Sequence, residues 1–382
     1  MTPSRRLAFI ALTLLALLLA ACAPASTAAP VDSPLPTPDV AGFARVTDPQ
    51  PFILPDALGP HPDYQTEWWY YTGILRADDG RTFGYQLTFF RRAMTPPDSL
   101  PERASAWATN DVYMAHFALS DVAEGQFQAH QRYARGAAGL AGAQADPYRV
   151  WLYDWSVEAL EDGAYRLRAS QGDLTLNLTL TDARGVVLQG EGGYSPKGPA
   201  PGNASIYYSQ PRLQSQGTLD MDGQRFDVTG LSWMDHEYGT SALGPDLVGW
   251  DWFGLHLGDA GDLMLFQLRR ADGGVDPFSS GAYIPPDGPP IQLGADDFTL
   301  TPLETWTSPH SGARYPARWR LRIPSIGLDV EISPLLADQE LNLSYAYWEG
   351  AVSVEGEKGG QPLSGEGYME LSGYAKSMAG QF

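Results

Sequence analysis

Apolar and polar residues alternate in many segments of this chain, and this alternation constrains the fold more than any other feature. Between Leu174 and Leu180, leucine occupies every second position and polar residues fill the positions between. Successive side chains of a β-strand point to opposite faces, so this run predicts a strand with one buried and one solvated face. Because such runs account for most of the apolar segments, we predict an all-β protein with little helix.

Short patterns recur in the two halves of the chain. The pattern W-x-Y-x-G at residues 69–73 has a counterpart, W-x-W-x-G, at residues 250–254. The segment GEGGY at residues 190–194 is similar to GEGY at residues 365–368, at a nearly equal displacement. This repetition predicts two related β domains that arose by duplication. We place these domains at residues 52–214 and 215–382.

The N-terminus has the pattern of a targeting segment. Two arginines precede an apolar run at residues 7–21, which ends in small residues immediately before Cys22. The run is shorter than the roughly 20 residues that span a bilayer. Residues 1–21 resemble a bacterial lipoprotein signal peptide, which implies that Cys22 becomes lipidated after cleavage. We therefore expect a Pro/Ala/Ser/Thr-rich tether at residues 22–51 and an anchor on the extracytoplasmic side of a bacterial membrane. An ordinary secretory signal with an incidental cysteine is the alternative.

The charge and the cysteine content restrict the partners of the chain. Lysine and arginine number 25 against 45 aspartates and glutamates, a net charge of −20 at pH 7. A surface this negative repels phosphate backbones, so we predict no nucleic-acid partner. Cys22 is the only cysteine in the sequence, so an intramolecular disulfide is impossible.

Two neighbouring segments, WMDHEYG at residues 233–239 and GWDWFG at residues 249–254, combine ionisable and aromatic residues. In an extended strand the first segment divides between two faces, with Met234, His236 and Tyr238 on one and Trp233, Asp235 and Glu237 on the other. In the second, Trp250 and Trp252 share a face and Asp251 lies opposite. Acids among aromatic residues can hold an apolar ligand and transfer a proton, because burial raises the pKa of a carboxyl group. A tryptophan-rich barrel wall whose His and acids bond to each other is the alternative.

Four segments carry a resemblance to a known family: residues 67–70 (EWWY), 235–239 (DHEYG), 347–352 (YWEGAV) and 365–371 (GEGYMEL). With these segments, the chain resembles the carotenoid 1,2-hydratase family and its secreted lipocalin-like relatives, some of which are associated with an Att-type ABC export system. The resemblance extends from about residue 59 to residue 374. It implies two tandem lipocalin-like antiparallel β-barrels, a fold that can hold one small apolar ligand.

The resemblance also implies a chemistry. Hydratases of this family are expected to protonate an isolated double bond and to add water to the tertiary cation, which requires a protonated acid and aromatic faces. His236 and Tyr238 match the histidine and the aromatic residue of the family motif. The later tyrosine and aspartate of the family fall near residues 266–268, where this chain has neither an acid nor a hydroxyl group.

Two functions follow as hypotheses. The first is a membrane-anchored protein that binds a hydrophobic or amphipathic small molecule, such as a lipid or isoprenoid, as an accessory to an ABC transporter. The second is a hydratase or hydrolase that uses acid and base groups around His236. Under the second hypothesis we predict catalytic roles for Asp235, His236, Glu237 and Asp251. We predict ligand-binding roles for Glu67, Trp68, Trp69, Tyr71, His116, Trp233, Tyr238, Trp250 and Trp252.

No cofactor is predicted for this chain. A metal site built from residues 235–237 with His61 or His256 would require residues distant in sequence to converge. No pair of histidines has the close spacing typical of metal ligands on one element. We therefore predict no metal site.

Overall fold

The computed structural model describes residues 40–99, 105–240, 243–244 and 246–379. Within these ranges, antiparallel β-strands form two sheets. The strands of the first sheet are β1 (Thr66–Ala77), β2 (Thr82–Ala93), β3 (Asp111–Asp121), β4 (Gln126–Arg135), β5 (Ala141–Ala145), β6 (Tyr148–Leu152), β7 (Trp155–Ala159), β8 (Tyr165–Gln171), β9 (Leu174–Asp182), β10 (Val187–Leu188), β11 (Tyr194–Pro196), β12 (Ala204–Met221) and β13 (Gln224–Gly239). The strands of the second sheet are β14 (Leu247–His256), β15 (Asp262–Arg270), β16 (Ser280–Ile284), β17 (Ile291–Gly294), β18 (Thr299–Thr307), β19 (Arg314–Ile323), β20 (Leu328–Pro334), β21 (Glu340–Asn342), β22 (Ala346–Lys358) and β23 (Gln361–Leu371).

Helical structure in the described residues is limited to short 3₁₀ turns. They are at Asp56–Leu58, Pro97–Ser99, Gly258–Ala260 and Pro324–Ile326. No helix among these residues is long and apolar enough to cross a membrane. The prediction of an all-β protein is confirmed.

The first sheet curves into a nearly closed barrel. Its strand order is β4-β3-β2-β1-β13-β12-β9-β8-β7-β6-β5, with β10 and β11 paired to β12. In β9, the leucines at every second position are fully buried, while the threonines and Asn177 between them are half-buried. The core of this barrel also contains Trp69, Tyr71 and Tyr208. We call this unit the first barrel.

The second sheet forms a half-barrel with the order β17-β16-β15-β14-β23-β22-β20-β19-β18, and β21 pairs with β22. Its core includes Trp319, Leu321 and Ile323, which alternate along β19 with arginines on the outer face. We call this unit the second barrel. Together the two sheets confirm the expectation of two lipocalin-like domains.

The sheets divide the chain between Gly239 and Leu247, and not at residue 214 as the sequence pattern indicates. Residue 214 lies inside β12, and β12 and β13 form a hairpin that belongs entirely to the first sheet. The pairing of these strands shifts register between Gln210 and Leu213. A β-bulge of this kind interrupts the alternation of side chains within one strand, and in the sequence it has the appearance of a boundary.

The topology supports the equivalence of the two strands that carry the W-x-Y-x-G pattern, but Trp69 and Tyr71 face the core of the first barrel, whereas Trp250 and Trp252 face the other barrel. It does not support the repetition of the glycine-rich pattern. Strands β1 and β14 are equivalent, because each pairs with the next strand in the chain and with the last strand of its own sheet. Residues 365–368 lie in β23, whose equivalent in the first sheet is β13. Residues 190–194 lie instead around a turn that leads into β11. The second match is therefore wrong, because a short glycine-rich segment is common to turns and strands.

Packing begins before the end of the predicted tether. Phe43 and Val46 are buried, and Val46 packs in a small cluster with Ile206 and Tyr238 of the first barrel. The part of the tether from residue 43 therefore belongs to the folded domain. Cys22, the predicted signal peptide and the start of the tether lie outside the described residues.

The two barrels pack against each other through their central strands. One apolar cluster contains Tyr70 and Trp233 of the first barrel and Trp252, Phe266 and Tyr368 of the second. Hydrogen bonds cross the same interface, from Trp252 Nε1 to the Tyr207 hydroxyl (3.0 Å) and between His116 Nδ1 and the Tyr347 hydroxyl (2.7 Å). The barrels thus share a continuous apolar contact surface.

Candidate functional site

A cavity of about 140 Å³ lies between the two barrels. Strands β1, β2, β12 and β13 of the first barrel and β14, β15, β22 and β23 of the second contribute to its walls. Its aromatic lining residues are Trp68, Tyr70, Phe90, Tyr207, Trp250, Trp252, Phe266, Tyr345 and Tyr347. Its acidic lining residues are Asp235, Glu237, Glu349 and Glu370. Among the described residues that line it, Lys197 is the only lysine or arginine.

The alternation of side chains along β13 explains which residues reach the cavity. Asp235 and Glu237 point into it, and His236 between them points into the first barrel. The expected division of this strand into two faces is therefore confirmed. The structure does not bring His236 together with its two acidic neighbours, so these three residues do not form one site.

Asp235 is held on the cavity wall by three hydrogen-bond donors. The Tyr207 hydroxyl donates to Oδ2 (2.6 Å), Trp233 Nε1 donates to Oδ1 (2.7 Å), and the Ser209 hydroxyl also donates to Oδ1. Burial nevertheless raises the pKa of this carboxyl group to about 7, because these bonds only partly offset the loss of solvation. Asp235 can therefore exchange a proton near neutral pH.

Glu237 has a cationic partner. Lys197 Nζ lies 3.2 Å from Glu237 Oε1 and 3.8 Å from the centroid of the Phe266 ring. The Ser205 hydroxyl donates a further hydrogen bond to Glu237. A cation over an aromatic face is stabilised by the ring quadrupole, so this end of the cavity already contains one charge-compensated pair.

Glu349 and Glu370 face each other on the paired strands β22 and β23. Glu370 Oε1 accepts hydrogen bonds from Trp250 Nε1 (2.8 Å) and from the Ser372 hydroxyl (2.7 Å). Neither carboxyl oxygen of Glu349 has a hydrogen-bond partner within the described part of the chain.

Burial sets the ionisation of these two glutamates. It raises the pKa of Glu370 to about 7 against the effect of its two donors. It raises the pKa of Glu349 well above the ordinary range, and the neighbouring charge of Glu370 acts in the same direction. The nearby hydroxyl groups of Tyr70 and Tyr347 lower the pKa of Glu349, although neither forms a hydrogen bond of good geometry with it. Glu349 consequently keeps its proton to a higher pH than an ordinary glutamate does.

His236 belongs to a separate cluster at one end of the first barrel. Its Nε2 lies 2.8 Å from Glu67 Oε1, which is also 2.8 Å from His61 Nδ1. Glu67 Oε2 accepts from Arg91 Nε (2.8 Å) and from the backbone N–H of His61 (2.9 Å). Burial alone would raise the pKa of Glu67, but the bonds from both histidines and the charge on Arg91 lower it well below the ordinary range.

The protonation of this cluster follows from its geometry. An ionised Glu67 can only accept, so both imidazole rings donate to it. His236 then accepts at Nδ1 from the Tyr208 hydroxyl, 2.9 Å away. Burial lowers the pKa of His236 more than the nearby carboxylate raises it, so the ring is neutral. The arrangement is a hydrogen-bonded network that fixes the strand end.

The same cluster is the one place among the described residues where metal-ligand types converge. The ligand atoms of His61, Glu67 and His236 lie within 4.8 Å of one another. The fold therefore does bring together His61 and His236, which are distant in sequence, and two histidines with one glutamate are ligand types that can bind zinc. The oxygens of Glu67 already accept four hydrogen bonds, so the network is complete without an ion.

The remaining predicted residues occupy several environments. Trp68, Trp250 and Trp252 line the cavity. Trp233 packs beside it in the apolar interface. Trp69 stacks on His236 (ring centroids 4.8 Å apart) inside the first barrel.

Four further predicted residues do not line the cavity. The Tyr71 hydroxyl bonds to that of Tyr148 (2.7 Å) within the first barrel. Tyr238 stacks on His61 with ring centroids 3.5 Å apart. His116 bonds to the hydroxyl group of Tyr347, which lines the cavity, but His116 itself does not line it. Asp251, predicted to be catalytic, is buried in the second barrel and bonds to Arg269 Nε (3.1 Å).

Sequence reasoning missed Glu349 and Glu370 as site residues. Both lie in segments that carry the family resemblance, and each is an acid within an otherwise apolar and aromatic run. Alternation places Trp348 in the core of the second barrel and Glu349 on the cavity wall. An acid on the apolar face of a strand is the signal that would have identified them.

Comparison with known proteins gives the family. The model of the AttH-like family matches residues 45–374. The chain belongs to the AttH-like family. Among solved structures, an AttH protein from Nitrosomonas europaea (NE1406) is 38% identical, with a TM-score of 0.78 over 87% of this chain and 99% of its own. This AttH-like chain has no match among the curated proteins.

Two more distant structures share the fold. Kievitone hydratase from Nectria haematococca is 14% identical, with a TM-score of 0.66 over 91% of this AttH-like chain and 99% of its own. CghA, solved with Sch210972, is 12% identical, with a TM-score of 0.52 over 82% of this chain and 89% of its own. At these identities the likeness concerns the two-barrel architecture alone.

Proposed function

We propose that this AttH-like protein binds a hydrophobic or amphipathic small molecule in the cavity between its two barrels. The observation that carries the proposal is an aromatic-lined cavity whose walls come from both sheets. Ligand sites are typically concave and apolar, with a few convergent polar groups. The cavity has this composition, whereas large core residues such as Trp69, Tyr71 and Tyr208 occupy the interior of the first barrel.

The test uses an uncharged apolar fluorophore, phenylnaphthylamine. It should bind the purified protein saturably with one site per chain, and tryptophan emission should fall because Trp68, Trp250 and Trp252 line the cavity. Mass spectrometry should also detect a copurifying apolar molecule that the fluorophore competes with. Non-saturable binding, or binding that does not quench tryptophan emission, would contradict the proposal.

A second candidate function is hydration of a carbon–carbon double bond. It is favoured by Glu349, which faces aromatic side chains across the cavity and whose pKa is raised by burial. The presence of a hydratase among the proteins of this fold also favours it. Glu349 would donate its proton to one alkene carbon and leave a tertiary cation on the other. Water would then add to the cation, and its proton would pass to the Glu349 carboxylate. Aromatic faces stabilise such a cation.

Labelled water distinguishes this second candidate. An isoprenoid with an isolated trisubstituted double bond should gain one oxygen atom from the solvent in the presence of the protein. Glu349→Gln should abolish the reaction and keep fluorophore binding, because glutamine cannot supply the proton. Glu355→Gln is the matched control, since Glu355 lies exposed on the same strand. No incorporation of the label across a panel of isoprenoids would eliminate this function.

The N-terminal sequence extends the proposal to a location. A lipid on Cys22 would hold the barrels at the outer side of a bacterial membrane, close to apolar ligands and to an ABC transporter. In fractionated cells, the protein should sediment with membranes, and Cys22→Ala should reduce that fraction strongly. An unchanged distribution would disprove the anchor, and crosslinking in intact cells would test the transporter.

A further inference from the structure

The walls of the cavity carry more acidic side chains than basic ones. Four carboxyl groups line it, and Lys197 is the only lysine or arginine among the described lining residues. Lys197 lies against Glu237. Asp235 has three neutral donors, and Glu370 has two. Glu349 is therefore the carboxyl group whose partners in the described chain are fewest.

Glu349 is buried as deeply as a core residue, with 1% of its surface exposed, yet both its oxygens lack a hydrogen-bond partner. Gln86 lines the same cavity, and its amide oxygen also lacks one. The Gln86 oxygen and an ionised Glu349 are acceptors, and the Tyr70 hydroxyl in the same cavity, which can accept or donate, is also unpaired. Buried polar atoms in native proteins are nearly always paired, so this wall is complementary to a ligand that brings hydrogen-bond donors.

The aromatic residues add a second requirement. Trp250, Trp252, Tyr70 and Tyr347 surround the acids, and aromatic faces attract cations. Lys197 already uses this effect at one end of the cavity, where its ammonium group lies over the Phe266 ring. A metal ion needs six or more oxygen ligands in the case of calcium or magnesium. The mainly aromatic lining fits an organic cation better.

From this geometry we infer that the cavity selects ligands that carry a protonated amine on an apolar body, with Glu349 as the acceptor of the ammonium group. The inference rests on the proposed function, because it concerns the same cavity. A volume of about 140 Å³ is close to the ~150 Å³ engineered cavity that holds benzene. The enclosed part of the ligand is therefore about one aromatic ring with its amine.

Binding of such a ligand should release a proton. Burial favours the protonated form of Glu349 in the free protein, and its carboxyl group must be ionised to pair with an ammonium ion. The carboxyl O–H bond then breaks, the carboxylate stays with the amine, and the proton passes to the buffer. A neutral ligand of the same shape causes no such release.

The experiment compares three probes with the same body: phenethylamine, phenethyl alcohol and hydrocinnamate. Titration calorimetry on the purified protein at neutral pH should show that the amine binds about tenfold more tightly than the alcohol, because the charge-assisted bond to the ammonium group outweighs the cost of ionising Glu349. Hydrocinnamate should bind most weakly. Repeating the amine titration in two buffers of different ionisation enthalpy measures the released proton.

Variants assign the effect to Glu349. Glu349→Gln should remove the preference for the amine and the proton release, and it should keep the affinity for the alcohol. Glu355→Gln, the same change at an exposed position of β22, should alter neither. Equal binding of alcohol and amine, or an amine preference that survives in Glu349→Gln, would overturn the inference and leave the proposed function intact. If none of the three probes binds, both fail.

Discussion

Glu67 and Glu349 are equally buried, each with about 1% of its surface exposed, yet their pKa values are shifted in opposite directions. Glu67 accepts four hydrogen bonds, from Arg91, from the His236 ring and from the ring and backbone of His61. Glu349 accepts none within the described chain. The pKa of the first is lowered and that of the second is raised.

The difference between the two residues indicates a structural role for Glu67 and a functional role for Glu349. Burial imposes a similar solvation cost on both carboxyl groups, and the surrounding donors decide whether the cost is offset. In the Glu67 cluster it is offset within the chain. At Glu349 it is not, and an acid that remains unsatisfied in a cavity is typical of a site that receives a ligand or transfers a proton.

The largest expected effect concerns the stability of variants at these two positions. Glu67→Gln should lower the free energy of unfolding by about 3–5 kcal/mol, because it removes the more buried of the two carboxylates that pair with the buried Arg91. Glu349→Gln should leave stability nearly unchanged, since the carboxyl group that it replaces makes no hydrogen bond within the described chain. Denaturant unfolding measures both, with Glu355→Gln as the surface control. A similar loss in both variants would show that the two sites do not differ.

The second effect is the dependence of stability on pH. It has one sign for Asp235 and Glu370, whose pKa values are raised, and the opposite sign for Glu67, whose pKa is lowered. Asp235 and Glu370 have a pKa of about 7 in the folded protein, against ordinary values of 3.8 and 4.5. Between about pH 5 and about pH 7 the folded state retains protons that the unfolded state loses, so stability should fall as pH rises, by about 1.4 kcal/mol per pH unit for each proton.

Glu67 changes the stability in the opposite direction as pH rises. Its lowered pKa stabilises the fold above its ordinary value of 4.5, and this contribution is lost as pH falls through the folded pKa. Urea unfolding across the pH range should thus show a maximum near pH 5. Glu370→Gln should flatten the neutral side of the profile and leave the acid side unchanged. A profile that rises steadily to pH 7 in the wild type would contradict these assignments.

The third effect concerns ligand affinity and is smaller. Trp252→Ala should weaken fluorophore binding by about tenfold, because Trp252 lines the cavity and its indole N–H orients Tyr207. The control is Trp107→Ala, the same change at an exposed tryptophan outside the cavity, which should have no effect. Equal affinities in the two variants would place the ligand elsewhere.

The smallest effect concerns Lys197. Lys197→Met removes the one cation in the described cavity lining and leaves the apolar part of the side chain. Amine affinity should increase by about threefold, because a partly solvated charge pair contributes less than about 1 kcal/mol. Affinity for the matched alcohol should not change. Weaker amine binding in this variant would show that the lysine holds the ligand and does not compete with it.

The sequence predicts those features of this fold that depend on neighbours along the chain. The alternation at Leu174–Leu180 predicts a strand with one buried face, and the alternation at residues 233–239 predicts that His236 and Asp235 face opposite sides. Both hold in the structure. The signal is local in each case, because a strand fixes the direction of each side chain by its position alone.

Features that depend on contacts between distant strands could not be predicted in this way. His61 and His236 meet because β1 pairs with β13 and the turn before β1 folds over the barrel end. Glu349 meets Glu370 and the aromatic residues of the first barrel only because the two sheets pack face to face. The pairing of sheets is a property of the whole fold, and no spacing along the chain records it.

The cavity walls come from both sheets, which has a thermodynamic consequence. An occupant would touch each barrel at once, so its binding free energy would resist their separation as well as their unfolding. In a calorimeter, the temperature at which the barrels melt should rise as the occupant is added, and any separate melting of the two should merge into one transition. Neither half of the polypeptide, expressed without the other, would retain affinity for it.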